Sequence, residues 1–136
     1  MLRDSKAFTT YSTNKFDISK KFYQETLGLK VNENEMGLLE LELVNCSVLI
    51  YPKEDHTPAA YTVLNFYVAN IEEEVDLLTK KGVQFEKYDG EIKTDSRGIY
   101  KGKVGPEISW FKDPAGNILS LIQKGNKSLW QREKSC

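Results

Sequence analysis

Residues 61–82 read YTVLNFYVANIEEEVDLLTKKG, and this stretch decides the fold. Its first eight residues are rich in β-branched and aromatic side chains, which predicts a strand over 61–68. Asn70 then stands where a helix N-cap belongs, and Glu72, Glu73 and Glu74 favour the positive end of the helix dipole. Ile71, Val75 and Leu78 fall on one helical face, and Lys80 and Lys81 precede a terminating Gly82. Strand, helix and glycine thus follow one another with no spare residues.

The same order appears earlier in the chain. Residues 7–12 (AFTTYS) read as extended, and Ile18, Phe22, Tyr23 and Leu27 recur at helical spacing before Gly28. Gly28 and Gly82 stand 54 residues apart, and the offset aligns Leu27-Gly28-Leu29 with Lys81-Gly82-Val83. Behind each glycine a short strand and a hairpin are expected. In the first half, residues 38–43 (LLELEL) alternate, with Leu39, Leu41 and Leu43 on one face and Glu40 and Glu42 on the other, and SVLIY at 47–51 pairs back against them. In the second, PEISWF and ILSLIQ flank Asp113-Pro114-Ala115-Gly116-Asn117, in which proline presets φ and glycine supplies the positive-φ position of a turn. The plan is an α+β domain of two βαβββ modules, about 7–52 and about 61–123, forming a curved mixed sheet around a shared cavity, with a tail at 124–136. That cavity is the default site.

Composition narrows the partners. A chain of 136 residues, 40% hydrophobic and 29% charged, is expected to be one globular domain that buries roughly two-thirds of its unfolded surface. Nineteen basic against twenty acidic residues give a formal net charge of -1, so no field draws nucleic acid or anionic lipid. The opening MLRDSKAF has no apolar signal core, and the expected location is the cytoplasm. Cys46 and Cys136 are too few for a disulfide framework and are expected to stay reduced, and without a signal sequence Asn45-Cys46-Ser47 and Asn126-Lys127-Ser128 are chance glycosylation matches.

Phe22-Tyr23 followed by Leu27-Gly28-Leu29, together with Asp113-Pro114-Ala115-Gly116-Asn117 before a last strand, resembles the vicinal oxygen chelate superfamily of glyoxalase I, extradiol dioxygenases and bleomycin-resistance proteins, over about residues 7–123. The resemblance implies the fold, and it implies a homodimer. It also implies where a metal would sit, on the first, fourth, fifth and eighth strands. Those positions fall on Phe8, Leu49, Val63 and Ser120, none of them an ordinary metal ligand. The single histidine, His56, lies in the loop KEDHTP and reads as a solvated surface residue, so neither a two-His zinc site nor a two-His iron triad can be built. No metal or other cofactor is expected.

With Phe8, Val63 and Ser120 facing inward, alternation along the strands turns Thr10, Ser12, Tyr51, Asn65, Tyr67, Ile118 and Ile122 toward the cavity and leaves Leu64, Phe66 and Val68 to pack under the helices. A lining of Thr10, Tyr51, Asn65, Tyr67, Trp110 and Ser120 suits an organic ligand held by stacking and a few hydrogen bonds; the competing reading is a core filled by its own side chains. The long glycine-bearing stretch 88–105 reads as a lid or binding loop that brings Arg97, Tyr100 and Lys101 to an anionic or planar ligand, or as plain surface. The expected function is metal-free binding or sequestration of a small organic molecule. A lyase, isomerase or dioxygenase-related enzyme with a non-standard site, drawing on groups such as Asp89, Asp95 or Tyr100, stays open. So does a non-catalytic assembly module.

Overall fold

The computed structural model describes residues 1–125; the expected tail beyond Gly125, including Cys136, lies outside them. The described chain falls into two compact units, one spanning Met1–Thr57 and the other beginning at Pro58. Each has the same element order.

In the first unit, strand β1 (Thr9–Thr13) leads into helix α1 (Phe16–Lys21), which continues as a π-helical turn over Phe22–Thr26. Strands β2 (Lys30–Glu33), β3 (Leu39–Glu42) and β4 (Ser47–Pro52) follow and form a sheet of order β1-β4-β3-β2. Strand β4 runs parallel to β1 and antiparallel to β3. The alternation foreseen in LLELEL holds, since Leu39 and Leu41 are completely buried beside Val48 and Ile50, while Glu42 reaches solvent.

The helix buries Tyr23, as its hydrophobic spacing predicts, but is rotated away from Ile18, which is 59% exposed while Ser19 is fully buried. Two hydroxyl pairs set this rotation: Thr13 Oγ1 and Ser19 Oγ lie 2.8 Å apart, and the Tyr11 hydroxyl donates to Tyr23 Oη at 2.8 Å. Buried hydroxyls need partners, and satisfying four of them outweighs the burial of one isoleucine.

The second unit repeats the plan with strand β5 (Thr62–Val68), helix α2 (Ile71–Lys80), and strands β6 (Ile99–Tyr100), β7 (Ile108–Lys112) and β8 (Ile118–Gln123), in sheet order β5-β8-β7-β6. Asn70 caps α2 by accepting from the Glu73 backbone N–H at 3.1 Å, and Gln123 Oε1 accepts from the Ile71 N–H at 2.8 Å. Ile71, Val75 and Leu78 are the buried residues of α2, as their spacing requires. The turn at 113–117 is closed by Asp113, whose carboxylate accepts from the backbone N–H of Ala115 and of Asn117 and from the Asn117 side-chain amide, each at 2.9 Å.

The repeat departs from register after Gly82. A strand expected directly behind that glycine is reduced to one bridge between Phe85 and Phe111, and the strand itself is postponed to Ile99–Tyr100. The intervening chain is tied down at several points. Asp95 Oδ1 accepts from the N–H groups of Arg97 and Ile99, Thr94 bridges to Tyr100, and Ile99 is completely buried. Gly98 has φ +89°, and a Cβ there would stand 2.8 Å from Phe85 Cβ. Only glycine satisfies both demands.

Among the described residues no helix is long and apolar enough to cross a membrane.

Gly98→Ala is expected to lower stability by about 2 kcal/mol or more, from left-handed backbone strain and the clash with Phe85. Gly90→Ala, with open space around its Cβ position and no positive φ, should change stability by less than about 0.5 kcal/mol. Urea unfolding of the two variants measures the difference. Ser109 is fully buried and its Oγ has no hydrogen-bond partner among the described residues. Ser109→Ala should therefore raise stability by about 1 kcal/mol, since the desolvated hydroxyl is removed at almost no cost in volume.

Candidate functional site

The sheet of the second unit has two faces of opposite character. Leu64, Leu119, Leu121 and Phe111 are buried on the side where α2 packs against β7 and β8. On the other side the register stacks six residues into two rungs. Asn65 lies opposite Ser120, which lies opposite Trp110; one step along, Tyr67 lies opposite Ile122, which lies opposite Ile108. Five of the six, all but Ser120, line a pocket of about 320 Å³.

The polar rung is already organised. Ser120 is completely buried and its hydroxyl donates to Asn65 Oδ1, a contact that leaves the Asn65 amide nitrogen as the donor at the pocket wall. The indole of Trp110 is held from outside by Tyr88, edge-on with centroids 5.5 Å apart, and by Tyr100 at 6.4 Å. Tyr67 stays 40% exposed and faces the pocket opposite Ile122. The arrangement offers aromatic and aliphatic area with one fixed hydrogen-bonding group, a combination suited to gripping and orienting an organic molecule.

The remaining residues singled out from the sequence sit elsewhere. Thr10 and Tyr51 belong to the sheet of the first unit, where Thr10 lies opposite Leu49 and Ser12 opposite Tyr51, so all four share one face. Tyr100 touches Trp110 from β6 without lining the pocket. Arg97 is turned to α2, where its guanidinium lies 3.6 Å from Asp76. Lys101 is likewise drawn to α2, at 3.0 Å from Glu72, whose hydrogen bond holds the ammonium pKa above its ordinary value. The two cations thus grip acids one helical turn apart.

His56 is the residue that the sequence reading undervalued. Rather than standing in solvent, it is half-buried, with Nδ1 2.6 Å from Ser12 Oγ on β1. Forty-four residues separate the two, and no local pattern announces the pairing.

A catalytic metal does not fit the positions that the fold would assign to it. Register places Leu49 on the same face as Thr10, and Phe8 shares the parity of Thr10, so the first unit offers hydrocarbon at both strand positions. Val63 adds another, at an irregularity in the β5–β8 register, and the Ser120 hydroxyl is committed to Asn65. Among the described residues no group of three or more His, Cys, Asp or Glu side chains is placed to hold a metal ion.

Comparison with known proteins agrees with this architecture. A member of the glyoxalase/bleomycin resistance protein/dioxygenase superfamily from Sphaerobacter thermophilus superposes with a TM-score of 0.71 at 21% identity, covering 91% of this chain and 100% of that one. TnmS3, an antibiotic binding protein from a Streptomyces species, gives 0.67 at 19%, covering 92% and 99%. Lactoylglutathione lyase from Agrobacterium tumefaciens gives 0.66 at 15%, covering 88% and 93%. At such identities the likeness shows the fold alone. A search of curated proteins finds no match by sequence. The family model for the Glyoxalase/Bleomycin resistance protein/Dioxygenase superfamily matches residues 7–121, and the chain belongs to that superfamily.

Proposed function

We propose that the protein binds a small, largely planar organic molecule without a metal, using the open sheet face of its second unit. The observation that carries this reading is the pair of rungs Asn65-Ser120-Trp110 and Tyr67-Ile122-Ile108, with the pocket they border. Apolar and aromatic area supplies affinity in such a site, and Asn65 supplies direction. TnmS3, an antibiotic binding protein, is an instance of this fold serving binding. The metal-free character rests on donor chemistry, because Phe8, Leu49 and Val63 cannot ligate and Ser120 already serves Asn65. In this reading the protein is a cytoplasmic homodimer, and sedimentation measures that state directly.

A thermal-shift screen against planar aromatic, glycopeptide and thiol-conjugate compounds, each with and without chelator, tests the proposal, since selective binding to the native state raises its stability. At least one organic compound should stabilise the protein equally in both conditions. Stabilisation by a divalent metal alone would sink the reading. For the compound that binds, Trp110→Ala should weaken affinity tenfold or more, a loss of about 1.4 kcal/mol that matches the removal of one stacking surface. Gln84→Ala, away from the pocket, should leave affinity unchanged in the same titration.

Metal content gives a separate check. Untagged protein dialysed against metal-free buffer is expected to carry less than about one-tenth of an equivalent of Zn, Ni, Mn or Fe, because among the described residues no group of three or more His, Cys, Asp or Glu side chains is placed to hold one. A stoichiometric metal that survives dialysis and disappears in Ser120→Ala would show that these positions do bind one.

A further inference from the structure

The first unit carries a second constellation that the binding reading leaves unused. We propose that Ser12 and His56 form a nucleophile and general-base pair that accepts an activated carboxylic ester, such as an aryl ester, on the face of the first sheet that carries Thr10, Leu49 and Tyr51. Their atoms Oγ and Nδ1 are 2.6 Å apart, within the range from which an imidazole takes a hydroxyl proton as the oxygen attacks.

The imidazole is held in place by its own loop. The Lys53 N–H donates to the Thr13 carbonyl at 2.9 Å, which fastens the start of the loop to the end of β1. The His56 N–H then donates back to the Lys53 carbonyl at 3.1 Å, closing a turn, and Lys53 Nζ reaches Asp55 Oδ1 at 2.7 Å across it. That hydrogen bond holds the Asp55 carboxyl below its ordinary 3.8 and the Lys53 ammonium above its ordinary 10.5, so both stay charged throughout the neutral range. Turn and strand therefore present base and hydroxyl to each other ready-made.

The surroundings favour an aromatic acyl or leaving group. Ser12 lies directly across from Tyr51, which is 38% exposed, and Leu49 lies across from Thr10 on the same face. A ring stacked on Tyr51 would bring its ester carbonyl beside Ser12 Oγ. With the imidazole proton on Nε2, Nδ1 accepts the hydroxyl proton while Oγ bonds to the carbonyl carbon. Collapse of the tetrahedral adduct breaks the bond to the aryl oxygen, which leaves with the proton held on Nδ1. The product is an acyl ester on Ser12. Water then attacks that ester, gives its proton to Nδ1, and releases the carboxylic acid as Oγ recovers its proton.

An alkyl fluorophosphonate followed by peptide mapping tests the pair, because the probe needs only an activated hydroxyl and loses fluoride on forming the O–P bond. Ser12 should be labelled at least 100-fold faster than Ser47 of the neighbouring strand in the same sample, in line with the roughly 10²- to 10⁴-fold that a positioned base contributes. Labelling should vanish in Ser12→Ala, fall at least 100-fold in His56→Gln, and drop to the Ser47 rate for wild-type protein in urea. Equal rates at Ser12 and Ser47 would overturn the proposal without recourse to any variant. So would a correctly folded His56→Gln that labels at the native rate.

Discussion

In each unit the first strand runs parallel to the last, and this pairing constrains everything else. Parallel neighbours cannot be joined by a tight turn, so the chain must leave the sheet and return through a crossover. Here α1 and α2 supply it. A crossover helix covers one face of its sheet, and among the described residues of the unit nothing of comparable size covers the other. The chemical asymmetry of the second sheet, with Leu64, Leu119 and Phe111 toward the helix and Asn65, Tyr67 and Trp110 away from it, follows from that connectivity. The proposed site has its place on that face because topology leaves it uncovered.

Much of this was legible in the residues, since the governing signals are local. The strand 61–68 and the helix behind Asn70 are written in periodicity and capping, and the turn at 113–117 in a proline, a glycine and an aspartate whose carboxylate closes it. Strand parity then put Asn65, Tyr67 and Ser120 on one face, and the register aligns Asn65 and Ser120 with Trp110 in a single rung. Parity needs one anchored residue per strand and nothing more.

What escaped the sequence depends on partners distant along the chain. The rotation of α1 is fixed by Thr13 and Tyr11, hydroxyls on a different element, so hydrophobic spacing alone chose Ile18 wrongly. The delay of β6 to Ile99 arises from an ordered excursion whose hydrogen bonds run through Asp95 and Thr94, residues that composition reads simply as loop formers. Arg97 looked like a ligand-seeking cation because its carboxylate partner, Asp76, sits on a helix that spacing could not bring near it. His56 looked solvated because Ser12 is forty-four residues away.

The two rungs also give the pocket a sense of direction. One rung ends in an amide braced by a buried hydroxyl, and the next is tyrosine and two isoleucines, so polarity falls along the strand axis within a single side-chain repeat of about 7 Å. A molecule with a hydrogen-bond acceptor at only one end has one favourable way to lie across such a gradient. Reversed, it would set its polar end against hydrocarbon and offer no acceptor to the Asn65 amide nitrogen. In the proposed function the sheet would thereby distinguish the two ends of an otherwise featureless flat molecule, and would do so with backbone register alone, before any loop is involved.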